Sequence, residues 1–520
     1  MLINRGAIDA YLRRPLDDFS WLKQLAREAV EGELAGLRVR PRFKTEPWLH
    51  QLVCFYIAMC EPRFMFLLDM GTGKTKIILD VLLQLMREGR ATRGLVTVPR
   101  LINIDSWKDD AAKHSELEPN LVRVEDIEAK RELLLNPPAS ADFTVIDYQG
   151  LHWALCKRQR GTKGKLVRDD KLVRRAQRLY DFVGVDEIHK LANRDSLWWG
   201  IMRQLTKEAR SVYGATGTLF GKNPEMAFGQ FKLVDGGETL GENIGIFRAA
   251  LFDEKPGKWK AAEYTFPARN EPTLTRILRH RSIRYDESEV QDLPKLQPVR
   301  RTVDMGAEQR EHYMRALEGL INANGELSKL EAQWLRMRQI VSGYLAWKDD
   351  TGNHVLRFKH NPKLDALESI VDEMGDSKCV VCYDYTETGR MISERLTAAG
   401  IDHVWYWGGT KDQSATRRRF LDDPACRIMV MNSEAGGTGN DGLQNVARYM
   451  VFYETPTPPI TRKQTVKRIH RSGQKRRSYV IDLVAERSLD GGILDDLAAS
   501  IDTYDRVVNG RGKGRNFFLS

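Results

Sequence analysis

Residues 64–86 read FMFLLDMGTGKTKIILDVLLQLM and give the strongest structural signal in the chain. The apolar run Phe64–Leu68 predicts a buried strand, and the apolar positions between Ile77 and Met86 predict a helix. A short glycine-containing turn joins the two. Strand, turn and helix in this order are typical of a parallel α/β sheet.

The same alternation continues along the chain and returns after a break. Strands are predicted in two groups, at 64–68, 94–98, 143–146, 180–185 and 211–215, and then at 378–382, 403–406, 427–431, 449–452 and 478–483. Longer helical periodicity lies between them, over 307–322 and 326–347. The predicted fold class is α/β. Its predicted domains are an N-terminal extension (1–45), a first parallel-sheet lobe (46–222), a helical protrusion and linker (223–362), a second lobe (363–490) and a basic tail (491–520).

The amino-acid composition excludes some classes of protein but does not identify the function. The formal net charge of +10, from 81 Lys and Arg against 71 Asp and Glu, permits a polyanionic partner but does not require one. No apolar run approaches the ~18 residues of a membrane span, and acidic residues near the start interrupt the apolar core that a signal peptide needs. We therefore expect a soluble, cytoplasmic protein.

The six cysteines are too sparse for a disulfide framework in a chain of this length, and they fit a reducing compartment. Cys379 and Cys382 have the spacing of a metal or redox pair. Both lie in one predicted strand, where alternation points their sulfurs to opposite faces. The spacing therefore does not indicate a metal site.

The turn Met70-Gly-Thr-Gly-Lys-Thr75 has the composition of a phosphate-binding loop. Its glycines allow backbone N–H groups to wrap phosphates at a helix N-terminus, Lys74 would reach the β- and γ-phosphates, and Thr75 would offer its hydroxyl to Mg²⁺. The strict pattern G-x-x-x-x-G-K-T places its first glycine where Leu68 stands, so the turn alone does not establish a nucleotide site.

A second element, Asp186-Glu-Ile-His189, follows the predicted strand at 180–185. At this position Asp186 could hold Mg²⁺ through water, and Glu187 could polarise the attacking water. The alternative is a helix N-terminus with acidic caps. The two elements together, about 110 residues apart in one α/β pattern, predict ATP hydrolysis with Mg²⁺.

The ordered set of segments resembles helicase superfamily two and, within it, the Swi/Snf-type ATP-dependent DNA translocases. The resemblance rests on Trp48-Leu-His-Gln51, Leu95-Val-Thr-Val-Pro99, Val145-Ile-Asp-Tyr148, Gly214-Ala-Thr-Gly-Thr218, Ala435-Gly-Gly-Thr-Gly439 and Gln464-Thr-Val-Lys-Arg-Ile-His-Arg-Ser-Gly-Gln474. It covers about 46 to 485 and implies two RecA-like lobes in tandem. Middle segments such as Phe220-Gly-Lys-Asn-Pro-Glu-Met226 favour this group over the DEAH-type RNA helicases.

The resemblance also implies roles for single residues. Glu187, Lys74, Arg468 and Arg471 would be catalytic, with the two arginines completing the site from the second lobe. Nucleotide-binding residues would be Gln51, Met70, Gly71, Thr72, Gly73, Lys74, Thr75 and Gln474, and Mg²⁺ would lie near Thr75 and Asp186. His189, Thr216 and Gly439 would couple hydrolysis to lobe movement, and Pro99, Tyr148, Gly436 and Gly437 would contact nucleic acid.

Four departures from the family pattern affect the coupling and strand-contact segments rather than the catalytic positions. Thr218 stands where a proline is usual, Glu454 where an aspartate is usual, Thr457-Pro-Pro459 replaces Trp-Asn-Pro, and Asn440-Asp441 interrupts the second-lobe loop. These differences leave the prediction of ATP hydrolysis unchanged.

The residues themselves do not identify the polymer on which the protein acts. Residues 157–175 hold nine basic against two acidic side chains and could contact a phosphate backbone or form a solvated loop. The resemblance implies duplex DNA, and contact without sequence specificity is expected because no base-recognition helix, zinc finger or stacking platform is readable. The small size and the absence of a histone-reading or other accessory module suggest a bacterial or viral member with partners among replication, repair or transcription proteins, and we expect a monomer. The alternatives are an RNA or single-strand helicase and a nucleotide-switched binding protein without turnover.

Overall fold

The computed structural model describes residues 5–159, 166–221, 223–255, 263–290, 293–321, 327–434, 442–471 and 473–508. These residues form two compact units. The first unit holds the described residues up to 290 together with 503–508, and the second unit holds those from 293 to 502.

The first unit is built on a seven-stranded sheet in which every neighbouring pair of strands is parallel. Its order is β11-β1-β8-β7-β2-β4-β3. The strands of this unit, including two antiparallel hairpins (β5–β6 and β9–β10), are β1 Arg63–Leu68, β2 Gly94–Val98, β3 Pro119–Leu121, β4 Phe143–Asp147, β5 Cys156–Arg158, β6 Leu166–Arg168, β7 Phe182–Asp186, β8 Ser211–Thr216, β9 Asp253–Lys255, β10 Glu263–Thr265 and β11 Ser282–Tyr285.

Helices cover both faces of this sheet, as alternation along β1 requires. Met65 and Leu67 pack into one apolar cluster, and Phe64, Phe66 and Leu68 pack into the other. The helices are α1 Arg5–Arg13, α2 Arg27–Gly36, α3 Leu49–Cys60, α4 Lys74–Arg87, α5 Ile102–His114, α6 Ile127–Leu135, α7 Tyr148–Leu155, α8 Asp170–Leu179, α9 Leu197–Glu208, α10 Ala227–Val234, α11 Ile244–Leu251, α12 Glu271–Leu278 and α13 Glu287–Val290.

The second unit repeats the plan with a six-stranded parallel sheet of order β12-β19-β18-β15-β17-β16. The strands, with the antiparallel hairpin β13–β14, are β12 Leu296–Val303, β13 Tyr344–Asp349, β14 Gly352–Arg357, β15 Lys378–Tyr383, β16 His403–Tyr406, β17 Ile428–Asn432, β18 Ala447–Phe452 and β19 Ser478–Ala485. The helices are α14 Ala307–Ile321, α15 Leu327–Ser342, α16 Pro362–Glu373, α17 Thr386–Ala398, α18 Gln413–Asp422, α19 Leu443–Val446, α20 Pro459–Val466 and α21 Leu489–Val508.

Two parallel sheets with helices on both faces confirm the predicted fold class. Cys379 and Cys382 lie in different apolar clusters on the two faces of β15, as alternation predicts. No group of three His, Cys, Asp or Glu side chains suited to a metal ion occurs in the part of the chain that the structure describes. Within the same residues, no helix is long and apolar enough to cross a membrane.

The segment expected to be helical, 223–362, differs most from the prediction. Its strands β11 and β12 add one edge strand to each sheet, so this segment is shared between the two units. The helix expected over 326–347 ends at Ser342 because Gly343 takes a φ of +103°, and a Cβ there would lie 1.9 Å from Asn361 Nδ2. The start of the expected tail is helical, with Ile493 and Leu497 buried, whereas residues 509–520 lie outside the described residues.

Candidate active site

The phosphate loop of the prediction joins the end of β1 to the start of α4. Gly71 and Gly73 both have a φ of +83°, a left-handed conformation that glycine adopts without the steric cost of a Cβ. A Cβ on Gly73 would lie 2.2 Å from Gln51 Nε2, which is closer than two such atoms can approach. The turn therefore depends on glycine, and it leads directly into the N-terminus of a 14-residue helix.

Two side chains of α3 donate hydrogen bonds to the backbone of this turn. Gln51 Nε2 donates to Thr72 O at 3.1 Å, and His50 Nε2 donates to the same carbonyl oxygen at 2.7 Å. The other end of the Gln51 amide accepts from Trp48 N at 2.9 Å. The resemblance implies that Gln51 binds nucleotide, and in this conformation its side chain lies against the backbone of the phosphate loop.

Lys74 and Glu187 form a nearly buried ion pair at the carboxyl ends of β1 and β7. Lys74 Nζ lies 3.0 Å from Glu187 Oε1 and 3.3 Å from Leu68 O. Burial alone would lower the pKa of the Lys74 ammonium, but the carboxylates of Glu187 and Asp186 raise it above its usual value. Burial alone would raise the pKa of Glu187, but Lys74 and His189 hold it well below its usual range. Both groups are therefore charged at neutral pH.

Glu187 has an unusual backbone conformation for a residue with a side chain. Its φ of +50° and ψ of +49° lie in the left-handed region, which costs a non-glycine residue about 1–2 kcal/mol. Strained conformations of this kind concentrate at functional sites. The conformation turns the chain directly after β7, with Asp186 as the last residue of the strand and Glu187 as the first residue beyond it.

Asp186 is half-buried and lies beside Glu187. Burial, with a further contribution from the Glu187 carboxylate, raises the pKa of Asp186 to about 6. Trp107 Nε1 lies 3.5 Å from Asp186 Oδ2, and the Tyr148 hydroxyl donates to Asp186 O at 2.5 Å. A bound cation would stabilise the charged form of such a carboxylate, so the position suits a metal ligand.

His189 and Thr216, which the motifs predict as coupling residues, both contact the second oxygen of Glu187. Thr216 Oγ1 lies 3.2 Å from Glu187 Oε2, and His189 Nδ1 lies 3.1 Å from Glu187 Oε2 and 2.9 Å from Thr216 Oγ1. Thr216 ends β8, the strand between β1 and β7, so the sheet order itself brings these residues together. One cluster thus contains the lysine, the acidic pair, the histidine and the threonine.

Sequence reasoning missed Arg284, which holds the start of the phosphate loop. Arg284 Nη2 lies 2.8 Å from Asp69 Oδ1 and also contacts Asp286, while Nη1 donates to Leu67 O at 3.0 Å. Asp69 and Arg284 are both nearly buried. Because β11 lies beside β1, a residue more than 200 positions along the chain fixes the position from which the loop departs.

Arg284→Met is expected to raise the ATP concentration for half-maximal turnover by about tenfold, or about 1.4 kcal/mol. The substitution leaves the buried Asp69 carboxylate without this ion pair and releases the loop, whereas the residues around Glu187 keep their contacts. Steady-state kinetics and equilibrium binding of a fluorescent ATP analogue measure the effect. Arg279→Met is the control, because its ion pair with Asp18 is half exposed. Equal nucleotide affinity in both variants would contradict this role of Arg284.

The two described residues predicted to contact nucleic acid differ in accessibility. Pro99 is half-buried and directly follows β2. Tyr148 is 2% exposed, and its hydroxyl is bound to the backbone of Asp186. In this conformation Tyr148 supports the acidic turn and does not present its side chain at a surface. Met70, Gly71 and Thr75 are half-buried within the phosphate loop and the first turn of α4, and Thr72 donates to Asp69 O at 2.8 Å.

The second unit contains the arginine segment directly after α20. Arg462 of this helix makes a buried, two-pronged ion pair with Asp482 of β19, with both N–O distances 2.7 Å. Beyond the helix Arg468 is 3% exposed and Arg471 is half-buried. Between them His470 Nε2 donates to Pro294 O at 2.8 Å, which ties the segment to the chain just before β12.

Gln474, predicted to bind nucleotide, has a structural role in this conformation. Its Nε2 donates to Ala447 O and Ile469 O, both at 3.0 Å, and its Oε1 accepts from Arg476 N at 2.9 Å. The side chain is 5% exposed, so the amide is used in closing the turn. Gly436, Gly437 and Gly439 lie outside the described residues.

Glu454, one of the departures from the family pattern, lies at the centre of a buried polar network. Its carboxylate accepts from the hydroxyls of Ser342 and Thr388 and from the backbone N–H groups of Asp384 and Tyr385. Burial, together with Asp384, raises its pKa above the usual value. The extra methylene relative to aspartate is accommodated with both oxygens hydrogen-bonded.

Comparison with known proteins supports the relationship that the motifs predict. Residues 46–219, a third of the chain, match the family model described as Type III restriction enzyme, res subunit. The protein p41 of Acyrthosiphon pisum secondary endosymbiont phage 1 is 26% identical over 446 residues, covering 82% of this chain and 90% of that protein. The ATP-dependent helicase YqhH of Bacillus subtilis (strain 168) is 28% identical over 133 residues, covering 26% of this chain. The matched region is 23% of YqhH.

Among solved structures, the Sulfolobus solfataricus SWI2/SNF2 ATPase core in complex with dsDNA is 16% identical with a TM-score of 0.40, covering 92% of this chain and 97% of that chain. The predicted relationship to ATP-dependent helicases is confirmed by the sequence matches to the family model and to YqhH. The chain is therefore similar in sequence, over part of its length, to ATP-dependent helicases.

Proposed function

We propose that the protein is an ATPase that moves along double-stranded DNA and remodels DNA or protein–DNA complexes with little strand separation. One observation carries the ATPase part of the proposal: Lys74, Glu187, His189 and Thr216 meet at the carboxyl edge of a parallel sheet, directly beside a glycine-dependent turn. In open α/β sheets, this edge is the place where ligands bind. P-loop ATPases carry out phosphoryl transfer with a lysine at such a turn, a carboxylate that holds Mg²⁺ and a residue that orients the attacking water.

Each residue of the cluster has a task in hydrolysis. The turn from Met70 to Gly73 would bind the phosphates through its N–H groups, and Lys74 would neutralise charge on the β- and γ-phosphates. Thr75 and Asp186 fit Mg²⁺, which would neutralise charge developing on the phosphate oxygens. Glu187 would accept a hydrogen bond from the attacking water and orient it.

The Lys74–Glu187 contact suggests how nucleotide binding prepares Glu187. A triphosphate would compete for the Lys74 ammonium, because its charge exceeds that of one carboxylate. Oε1 of Glu187 would then be available to water, while Oε2 would stay fixed by His189 and Thr216. Because Thr216 ends β8, a movement of Glu187 would be transmitted to this strand through the contact between the two side chains.

The proposed roles of DNA and of the second unit come from the family resemblance. In this resemblance Arg468 and Arg471 match the arginine segment of the motif set. An arginine that reaches the γ-phosphate contributes ~10³–10⁵ in rate in other NTPases. If the second unit supplies it on closing, hydrolysis and domain movement are one event.

Duplex DNA is expected to raise the steady-state rate of ATP hydrolysis, because the family resemblance implies an ATPase that acts on duplex DNA. Phosphate release is measured with duplex DNA, single-stranded DNA, RNA and no nucleic acid. Stimulation by RNA or single strands alone would replace the proposal with a helicase of those polymers. Nucleotide binding without turnover under all four conditions would indicate a nucleotide-switched binding protein.

A further inference from the structure

The helix α8 presents a row of cations to solvent. Val173 and Ala176 are buried against the first unit, whereas Lys171, Arg174 and Arg178 are exposed. These three positions follow the i, i+3, i+7 spacing of one helix face. Seven residues at ~1.5 Å each make the row about 10 Å long.

The hairpin β5–β6 lies directly before α8 and adds to the same basic character. Lys157 and Arg158 of β5 are exposed. The hairpin is joined to the helix at Asp169, whose N–H donates to Leu155 O at 2.9 Å and whose carboxylate lies 3.2 Å from Lys157 Nζ. We name the five exposed cations Lys157, Arg158, Lys171, Arg174 and Arg178 the basic surface.

Most of the positive charge of the basic surface is not neutralised by the protein. The two carboxylates in this segment already have partners. Asp169 caps α8 and forms an ion pair with Lys157, and Asp170 forms an ion pair with Arg168. Among the described residues, no carboxylate lies within 4 Å of a cationic nitrogen of Arg158, Lys171, Arg174 or Arg178. Arg174 Nε donates to a backbone carbonyl, that of Asp170.

Two neighbouring arginines serve the fold and do not belong to the basic surface. Arg175 contacts Asn136 and Leu135 O at the end of α6, and Arg168 donates to Gly200 O in α9 at 3.2 Å. Arg175 and Arg168 therefore contact α6 and α9, whereas Arg174 of the basic surface contacts the backbone of its own helix. Like charges at i and i+4, such as Arg174 and Arg178, slightly destabilise a helix, by about 0.2–0.5 kcal/mol per pair.

The positive charge and the spacing of the basic surface suit a polyanion whose negative charges repeat at regular intervals. In duplex DNA the phosphates of one strand follow at about 3.4 Å along the axis, so a row of about 10 Å can meet up to three of them. The surface lacks the apolar component that a membrane or an apolar peptide would need, because no large hydrophobic side chain is exposed between residues 128 and 221 where the structure describes them.

We propose that the basic surface binds the phosphate backbone of duplex DNA, at a contact separate from the motif segments around Pro99 and in the second unit. The inference rests on the proposed function, because it names a further contact with the same substrate. Its role is to hold DNA on the first unit through charge alone, without reading sequence.

The test compares two double variants of equal net charge in the full-length protein. Arg174→Ala with Arg178→Ala removes two cations of the basic surface, and Arg13→Ala with Arg40→Ala removes two exposed cations elsewhere in the first unit. Alanine preserves the α8 helix. Fluorescence anisotropy with a labelled duplex is measured over a salt series, and DNA-stimulated ATP hydrolysis is measured over a DNA series.

The basic-surface variant is expected to bind duplex about tenfold more weakly at low salt, and its slope of log affinity against log salt is expected to fall by ~1.8, about 0.9 for each lost phosphate contact. Its turnover at saturating DNA should equal that of wild type, while the DNA concentration for half-maximal stimulation rises. The control variant should keep the wild-type slope.

Equal slopes in the two variants would overturn the inference while leaving the proposed function intact. Wild-type protein that neither binds duplex nor responds to it would overturn the proposed function. If a polyglutamate peptide bound at the basic surface as tightly as duplex, the surface would be a docking site for an acidic protein segment, and the inference would be overturned.

Discussion

Glu187→Gln is expected to lower the turnover number for ATP by about 10²–10⁴ while nucleotide binding is retained. Glutamine has nearly the same shape, so the side chain can still reach His189 and Thr216. It cannot accept a proton from water at neutral pH, and it no longer attracts Lys74, which is then free for the phosphates. The expected pattern is a large fall in kcat with an unchanged or lower KM.

Single-turnover hydrolysis and equilibrium binding of an ATP analogue separate these two effects. Glu208→Gln is the matched control, since Glu208 is exposed at the end of α9 and its variant should hydrolyse ATP normally. Lys74→Ala should lose turnover as well, but through weaker phosphate binding. Wild-type turnover in either Glu187→Gln or Lys74→Ala would show that the reaction occurs elsewhere.

The parts of this site that could be predicted from the sequence are those encoded locally. The phosphate loop is a strand, a turn and a helix within one continuous segment, and the acidic pair lies where a strand ends. His189 and Thr216 could be assigned through the family motifs, and the order of strands explains why they meet. The mutual contact of these residues was not visible in the sequence, because it depends on β8 lying between β1 and β7.

What could not be predicted depends on pairing between distant segments. Arg284 gives no local signal, because its partner Asp69 lies 215 residues earlier. The burial of a motif residue could not be predicted from the sequence either. Tyr148 and Gln474 match motif positions, yet the polar atoms of each side chain form hydrogen bonds with the backbone of its own unit. The strands β11 and β12 were missed because they are edge strands of two sheets whose other members are far away in sequence.

The ion pair between Arg462 and Asp482 should contribute the largest single electrostatic effect on the stability of the second unit. Arg462 is 2% exposed, Asp482 is 3% exposed, and Phe452 lies beneath the guanidinium at 4.4 Å. Among the described residues, Arg462→Met would leave the buried Asp482 carboxylate with Thr455 Oγ1, at 3.2 Å from Oδ1, as its remaining side-chain donor. Breaking a buried pair in this way costs about 3–5 kcal/mol, and we expect this loss in the free energy of unfolding of the second unit.

Hydrogen exchange of the backbone amides in β18 and β19 measures this loss locally, without interference from the first unit. Arg419→Met is the control, because Arg419 Nη2 contacts both carboxylate oxygens of Asp402 while both side chains are about half exposed, where removal costs no more than about 1 kcal/mol. The double variant Arg462→Met with Asp482→Leu should recover much of the protection, since no buried charge remains. Equal effects of Arg462→Met and Arg419→Met would show that burial does not govern the pair. Because α20 leads directly to Arg468 and Arg471, Arg462→Met should also lower ATP turnover, and the double variant should restore part of it.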